Sequence, residues 1–185
     1  FLAGMPRLVW NCPFQTYTEE LRAFVDTDFG GCQTNQRSTS GGIALRGAHP
    51  VKHWSITQTT VALSSGEAEL GGICRGASIA LGIQALAKDL GIDLDIHLYT
   101  DAAAAIGICR KRGLGKIRHL HVADLWVQDR IKKGYFKLSK VAGSDNPADI
   151  LTKHVSRDIM MKHMTKMGLV VEEGRAKSAP TLQHE

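Results

Sequence analysis

Hydrophobic and polar positions change period several times along the chain. "LRAFVDTD", residues 21 to 28, alternates as a half-buried strand does and runs into the turn signal Gly30-Gly31. "GGIALRG" and "VKHWSIT" carry strand patterns on either side of Ala48-His49-Pro50, so the three segments read as an antiparallel meander. From Ser65 to about Leu90 the period lengthens: Leu70, Ile73, Cys74, Ala77, Leu81, Leu86 and Leu90 follow helical spacing up to a stop at Gly91. "DIHLYT", 95 to 100, is a short strand, and "DAAAAIGICRKRG" is a helix closed by Gly113. A further helix is predicted from about His119 to Lys133, with Leu120, Ala123, Leu125, Val127 and Ile131 inside and Gly134 at its end. "YFKLSKV" is a strand, and "NPADILTK" opens a last short helix with Asn146 as N-cap and Pro147 at the first helical position. This order predicts an α/β fold: a five-stranded mixed sheet, antiparallel at one edge, joined through helical crossovers to two parallel strands and flanked by helices.

Composition narrows this little. At 185 residues the chain is long enough for one well-buried core with a small appendage. No apolar run approaches the ~20 residues of a membrane span, so no membrane partner is expected. Cys12, Cys32, Cys74 and Cys109 lie far apart, which indicates neither a disulfide framework nor a zinc site and fits a reducing, intracellular compartment. The chain opens on Phe1 without the order of a signal peptide, and the expectation is a piece of something longer. A net charge of +5 suggests a polyanionic partner. The basic residues concentrate between 110 and 133, where Arg110, Lys111, Arg112, Lys116, Arg118, Arg130, Lys132 and Lys133 face only Asp124 and Asp129. That stretch reads either as a solvated helix face or as a nucleic-acid surface.

The informative chemistry is acidic. In "VALSSGEAELGGI", Ser64 and Glu67 have the spacing of a capping box, which gives Glu67 a structural job. Glu69, two positions on, faces roughly the other way, beside the face that must pack on the sheet, where a carboxylate is costly unless a cation meets it. Asp26 lies inside an apolar strand, Asp101 just past the end of the fourth strand, and Asp149 in the first turn of the last helix. Asp101 and Asp149 admit two readings, as acids complementing a helix dipole or as ligands. Asp28 adjoins Phe29-Gly30-Gly31 and reads as a turn acid. One arrangement explains the four together: Asp26, Glu69, Asp101 and Asp149 converge. Two unit charges 4 Å apart repel by about 4 kcal/mol at an effective dielectric near 20, so such a group makes sense as a cage for divalent cations. Oxygen ligands favour Mg²⁺ or Mn²⁺, and two such ions suit an in-line phosphoryl displacement.

"VDTDFGGC…RSTSGG", "TVALSSGEAEL", "LYTDAAAAI" and "NPADILTK" resemble, in this order, the ribonuclease H domain of copia-type LTR retrotransposon polyproteins. The resemblance covers about residues 20 to 153, and "FLAGMPRLVW" is similar to the end of the preceding reverse transcriptase region. It implies a ribonuclease H-like fold over 19–153, after a leading segment 1–18. It implies Asp26, Glu69, Asp101 and Asp149 as catalytic metal ligands for two Mg²⁺ or Mn²⁺ ions, and the RNA strand of an RNA/DNA hybrid as substrate. One ion would activate the attacking water and the other stabilise the departing 3′ oxygen, leaving a 5′ phosphate. The reverse transcriptase part of the same polyprotein is the implied partner, and the implied location is a cytoplasmic virus-like particle. There are two departures. The loop "AGSDNPAD" lacks the mobile histidine of many relatives, and "DAAAAI" stands where copia relatives often show "DNQSA". The rival readings are a nuclease-dead binding module and a DNA-cutting integrase or resolvase of the same fold. Against the second stand the "SSxEAE" motif and acid intervals of 43, 32 and 48 residues.

Candidate substrate contacts follow. Ser64, Ser65 and Gly66 sit at a helix N-terminus, either binding a phosphate or only capping. Arg37, Ser38 and Thr39 of "RSTSG" are phosphate contacts or a hairpin turn. Lys116, Arg118, His119 and His121 resemble the family's "TKHI" stretch. Trp54 and Trp126 read as core. Residues 154–169 form a basic, Met-rich amphipathic helix, with Ile159, Met160, Met164 and Met167 near helical spacing, and 170–185 an unstructured tail.

Overall fold

The computed structural model describes residues 7–113 and 125–174. In chain order its strands and α-helices are β1 (Leu8–Trp10), β2 (Glu20–Asp28), β3 (Thr39–Arg46), β4 (His49–Thr57), α1 (Ser65–Asp89), β5 (Asp95–Thr100), α2 (Ala103–Arg110), α3 (Trp126–Lys132), β6 (Lys137–Lys140), α4 (Arg157–Lys166) and β7 (Leu169–Val171). Two short 3₁₀ helices, Gly143–Asp145 and Pro147–Leu151, lie between β6 and α4.

β2 organises the sheet. It pairs antiparallel with β3, which pairs antiparallel with β4; on its other side it pairs in parallel with β5, and β5 in parallel with β6. The order β4-β3-β2-β5-β6 is the mixed sheet expected from the alternation of period-2 and period-3.6 segments. Leu21, Ala23 and Val25 are buried on one face of β2, against Leu70, Ile73 and Ala77 of α1, with Leu98, Ala105, Val127, Phe136 and Leu138 completing that core. On the other face Phe24 joins Ile43, Leu45, Ile150, Leu151, Met167 and Leu169 in a smaller core. By length and composition α1 is apolar enough to cross a membrane, but it packs on the sheet as the core helix.

α1 lies close because its contact stripe is small. A Cβ at Gly72 would stand 2.3 Å from Thr27 Oγ1, and one at Gly76 2.4 Å from Val25 Cγ1. Trp54 is buried, and Trp126 packs against the core.

Three expectations are corrected. The leading segment 1–18 contains β1, which pairs antiparallel with β7, so Val170 and Val171 are strand residues rather than the start of a tail. Arg7 pairs with Glu172 at 2.7 Å and the Asn11 amide donates to the Gly168 carbonyl, closing a ribbon between chain segments about 160 residues apart. Three-residue strands carry no periodic signal; only their partner makes them strands. The "NPADILTK" helix is a 3₁₀ helix. Of the expected 119–133 helix, Trp126–Lys132 is helical, and 119–124 lie outside the described residues. In α4, Met164 is buried but Ile159 is exposed, so the apolar stripe is narrower than its spacing suggested.

Candidate active site

Asp26, 2% exposed, sits near the carboxyl end of β2, and Asp101 directly follows β5, its parallel neighbour. Crevices outside the carboxyl ends of such strands are where open α/β sheets collect polar groups. Glu69 comes from the second turn of α1, and one carboxylate oxygen each of Asp26, Glu69 and Asp101 lies within 4.8 Å of the other two. Asp149, in the second 3₁₀ helix, joins through a cation: Lys153 Nζ stands 3.2 Å from Asp149 Oδ1 and 3.6 Å from Asp26 Oδ2. Of the four acids expected to converge, Asp26, Glu69 and Asp101 meet directly, and Asp149 reaches them through Lys153.

Local chemistry holds the last acid in place. The Asn146 side chain accepts the Ala148 amide at 3.2 Å as N-cap, and its amide donates to the Val25 carbonyl at 2.9 Å, one residue before Asp26. Ser55 Oγ donates to the Leu151 carbonyl at 2.6 Å, tying the 3₁₀ helix to β4. Gly41 lies opposite Asp26 in the ladder, and a Cβ there would stand 2.6 Å from Thr152 Cγ2 and 2.9 Å from Leu151 Cβ. Only a bare backbone at Gly41 lets this segment settle on the strand. The Thr152 hydroxyl donates to Asp26 Oδ2.

Crowding shows in the protonation equilibria. Burial, then the charges of Asp26 and Asp101, push the Glu69 carboxyl up to about 8. Burial, then Asp26, also raise Asp149. Burial pulls the Lys153 ammonium down, but Asp26, Asp149 and Asp101 outweigh it and raise its pKa. Glu69 Oε2 is buried and has no hydrogen-bond partner among the described residues. An all-oxygen donor set with such a lone pair fits a divalent cation of the Mg²⁺ or Mn²⁺ kind.

No family model matches the chain. The retrovirus-related Pol polyproteins from transposons RE1 and RE2 of Arabidopsis thaliana are each 29% identical to it, over 155 and 156 residues, or 82% and 83% of this chain. The chain spans 11% of the length of either. The Pol polyprotein from transposon TNT 1-94 of Nicotiana tabacum is 26% identical over 140 residues, 75% of this chain and 10% of its own. Among solved structures, LC11 ribonuclease H1, isolated from compost, superposes with a TM-score of 0.50 at 13% identity, over 80% of this chain and 99% of that one. The chain is a relative of copia-type transposon Pol polyproteins, and its fold is that of ribonuclease H.

Within this ribonuclease H fold, Ser64 is the N-cap of α1, its hydroxyl accepting the Glu67 amide at 3.2 Å. Glu67 reaches back to accept the Leu63 amide at 2.7 Å, which leaves Glu69 as the acid of the pair that joins the cluster. Ser64 and Ser65 are exposed, with Gly66 partly so, at the N-terminus of the helix that carries Glu69. Arg37 is exposed. Ser38 is a correction: it is fully buried and its hydroxyl accepts the Gly30 amide at 3.1 Å, so it braces the β2–β3 turn and is closed to a ligand. Asp28 is the turn acid expected, accepting the Thr39 amide. Lys116, Arg118, His119 and His121 lie outside the described residues.

Sequence reasoning missed Thr152 and Lys153 as site residues and took Asn146 only as a cap. Their spacing was visible, since Lys153 is four residues past Asp149. What lay out of reach was Asp26, 126 residues before Thr152, as their common neighbour.

Proposed function

We propose that this part of a transposon polyprotein hydrolyses the RNA strand of RNA/DNA hybrids made by the accompanying reverse transcriptase, within an intracellular, virus-like particle. The observation that carries the reading is the meeting of Asp26, Glu69 and Asp101 oxygens within 4.8 Å, with Asp149 joined to them through Lys153. Asp26, Glu69, Asp101 and Asp149 would hold two Mg²⁺ or Mn²⁺ ions. Such ions supply Lewis-acid charge for in-line displacement at a phosphodiester, activating water and stabilising the leaving oxygen.

The chain's own residues set the stage for that chemistry. Glu69 must give up its proton before it serves as a ligand, because its carboxyl titrates near 8. Thr152 orients Asp26, and Asn146 fixes the distance between the Asp149 helix and β2. The backbone amides at the start of α1, at Ser65 and Gly66, suit a phosphate of the bound strand. The exposed Arg37 and the basic residues of the stretch 110–133, Lys116, Arg118 and His119 among them, are the proposed cationic contacts to the duplex. Hybrids are read through groove width, phosphates and 2′ hydroxyls rather than base edges.

The test offers labelled RNA/DNA hybrid, duplex DNA and duplex RNA to the chain with Mg²⁺ or Mn²⁺. Cutting confined to the RNA of the hybrid supports the reading. Binding without cutting marks a nucleic-acid-binding module, and cutting of duplex DNA marks an integrase- or resolvase-like enzyme; either outcome overturns it.

A further inference from the structure

Lys153 is the one cation that reaches the acid cluster among the ion pairs of the described residues, and its placement is specific. Its backbone amide donates to the Asp149 carbonyl at 3.1 Å, so the base of the side chain is fixed one turn beyond the acid it pairs with. Its ammonium contacts Asp149 Oδ1 and Asp26 Oδ2, drawn from two elements that meet only in the tertiary fold. The side chain is 46% exposed, so the four-carbon stem has open solvent to swing into without disturbing the core. Asp26, by contrast, is buried and held by Thr152, and Asn146 pins the Asp149 helix to β2. Asp26 and Asp149 are therefore held in place, and Lys153 is the movable partner beside them.

We propose that Lys153 is a displaceable counter-cation: its ammonium neutralises Asp26 and Asp149 until a divalent ion takes the same oxygens, and the side chain then moves outward to solvent. This rests on the metal-site reading above. An ammonium and a divalent ion cannot both approach those oxygens closely, because like charges at a few ångströms repel strongly wherever solvent screening is incomplete. Lys153 thus does two opposed things. It supports the fold in the absence of metal and weakens the first metal-binding step.

The experiment uses the full chain as wild type, Lys153→Met, Lys153→Arg and Asp101→Asn. Melting temperature is measured in chelator, and Mn²⁺ affinity by calorimetric titration. Lys153→Met is expected to melt a few degrees lower in chelator and to bind Mn²⁺ about tenfold more tightly. Lys153→Arg keeps the positive charge and should stay near wild type in both. A purely structural lysine would lower melting without tightening metal binding, so unchanged or weaker Mn²⁺ affinity in Lys153→Met overturns the proposal while leaving the metal site standing. If wild type and Asp101→Asn bind Mn²⁺ alike, the metal-site reading itself falls and takes this one with it.

Discussion

Glu69→Gln isolates the cost of crowding acids in this site. The substitution keeps shape and volume but removes an ionisable group whose pKa is raised from 4.5 to about 8, first by burial and then by Asp26 and Asp101. The sign follows from linkage: between 4.5 and 8 the folded chain holds a proton that the unfolded chain has released. Stability is therefore complete below the unfolded value and is lost as pH rises towards 8. The full displacement corresponds to about 5 kcal/mol at 1.36 kcal/mol per pH unit. The side chain is only partly buried and solvent screens part of that displacement, so about 2–3 kcal/mol is the expected loss. For a chain of this size that is about 5–10 °C in melting temperature. The assay is thermal unfolding in chelator from pH 5 to 8, read as the difference between Glu69→Gln and wild type, so that other titrating groups cancel. The variant should match wild type near pH 5 and exceed it progressively towards pH 8. Parallel curves, or a variant less stable at pH 8, would refute the claim that the acids crowd one another. With saturating Mn²⁺ the order should reverse, since binding expels the Glu69 proton and the amide is a poorer ligand.

Gly41→Ala should cost about 1–3 kcal/mol and weaken Mn²⁺ binding, because its Cβ meets Thr152 and Leu151 and lifts the Asp149 segment from β2; chemical denaturation and metal titration read the two effects. Asn146→Ala removes both a cap and a buried bond to the Val25 carbonyl, for an expected loss of about 2 kcal/mol in the same denaturation assay; a loss within error of zero would remove Asn146 as the pin. His163 in α4 is fully buried with both ring nitrogens unpartnered among the described residues, and burial followed by Lys166 and Lys162 lowers its pKa. The unfolded chain then takes up a proton that the folded chain refuses, so stability is complete above the ordinary histidine value of 6.5 and falls as pH drops through it. His163→Leu should flatten the wild-type fall in melting temperature between pH 7 and 5.

Much of this molecule was legible in one dimension because the deciding physics is local. Strand alternation in β2, the 25-residue helical run of α1, the Ser64–Glu67 cap and the Asn146-Pro147 start are each set by neighbours within a few positions, and each stands where its pattern placed it. The choice of Glu69 over Glu67 was also local, because capping committed one of the two. What the chain could not announce is everything settled between distant segments. Whether Asp26 and Asp101 meet depends on β2 and β5 being parallel neighbours, a property of strand order rather than of either strand. Ser38 looked like a ligand residue until the Gly30 turn folded over it, and β1 and β7 become strands only in each other's company. Lys153 and Thr152 acquired their roles the same way, since the Asp26 carboxylate they contact is brought to them by the sheet. Periodicity specifies which face of an element is apolar; only packing specifies which polar groups are left facing one another, and at this site that remainder is the chemistry.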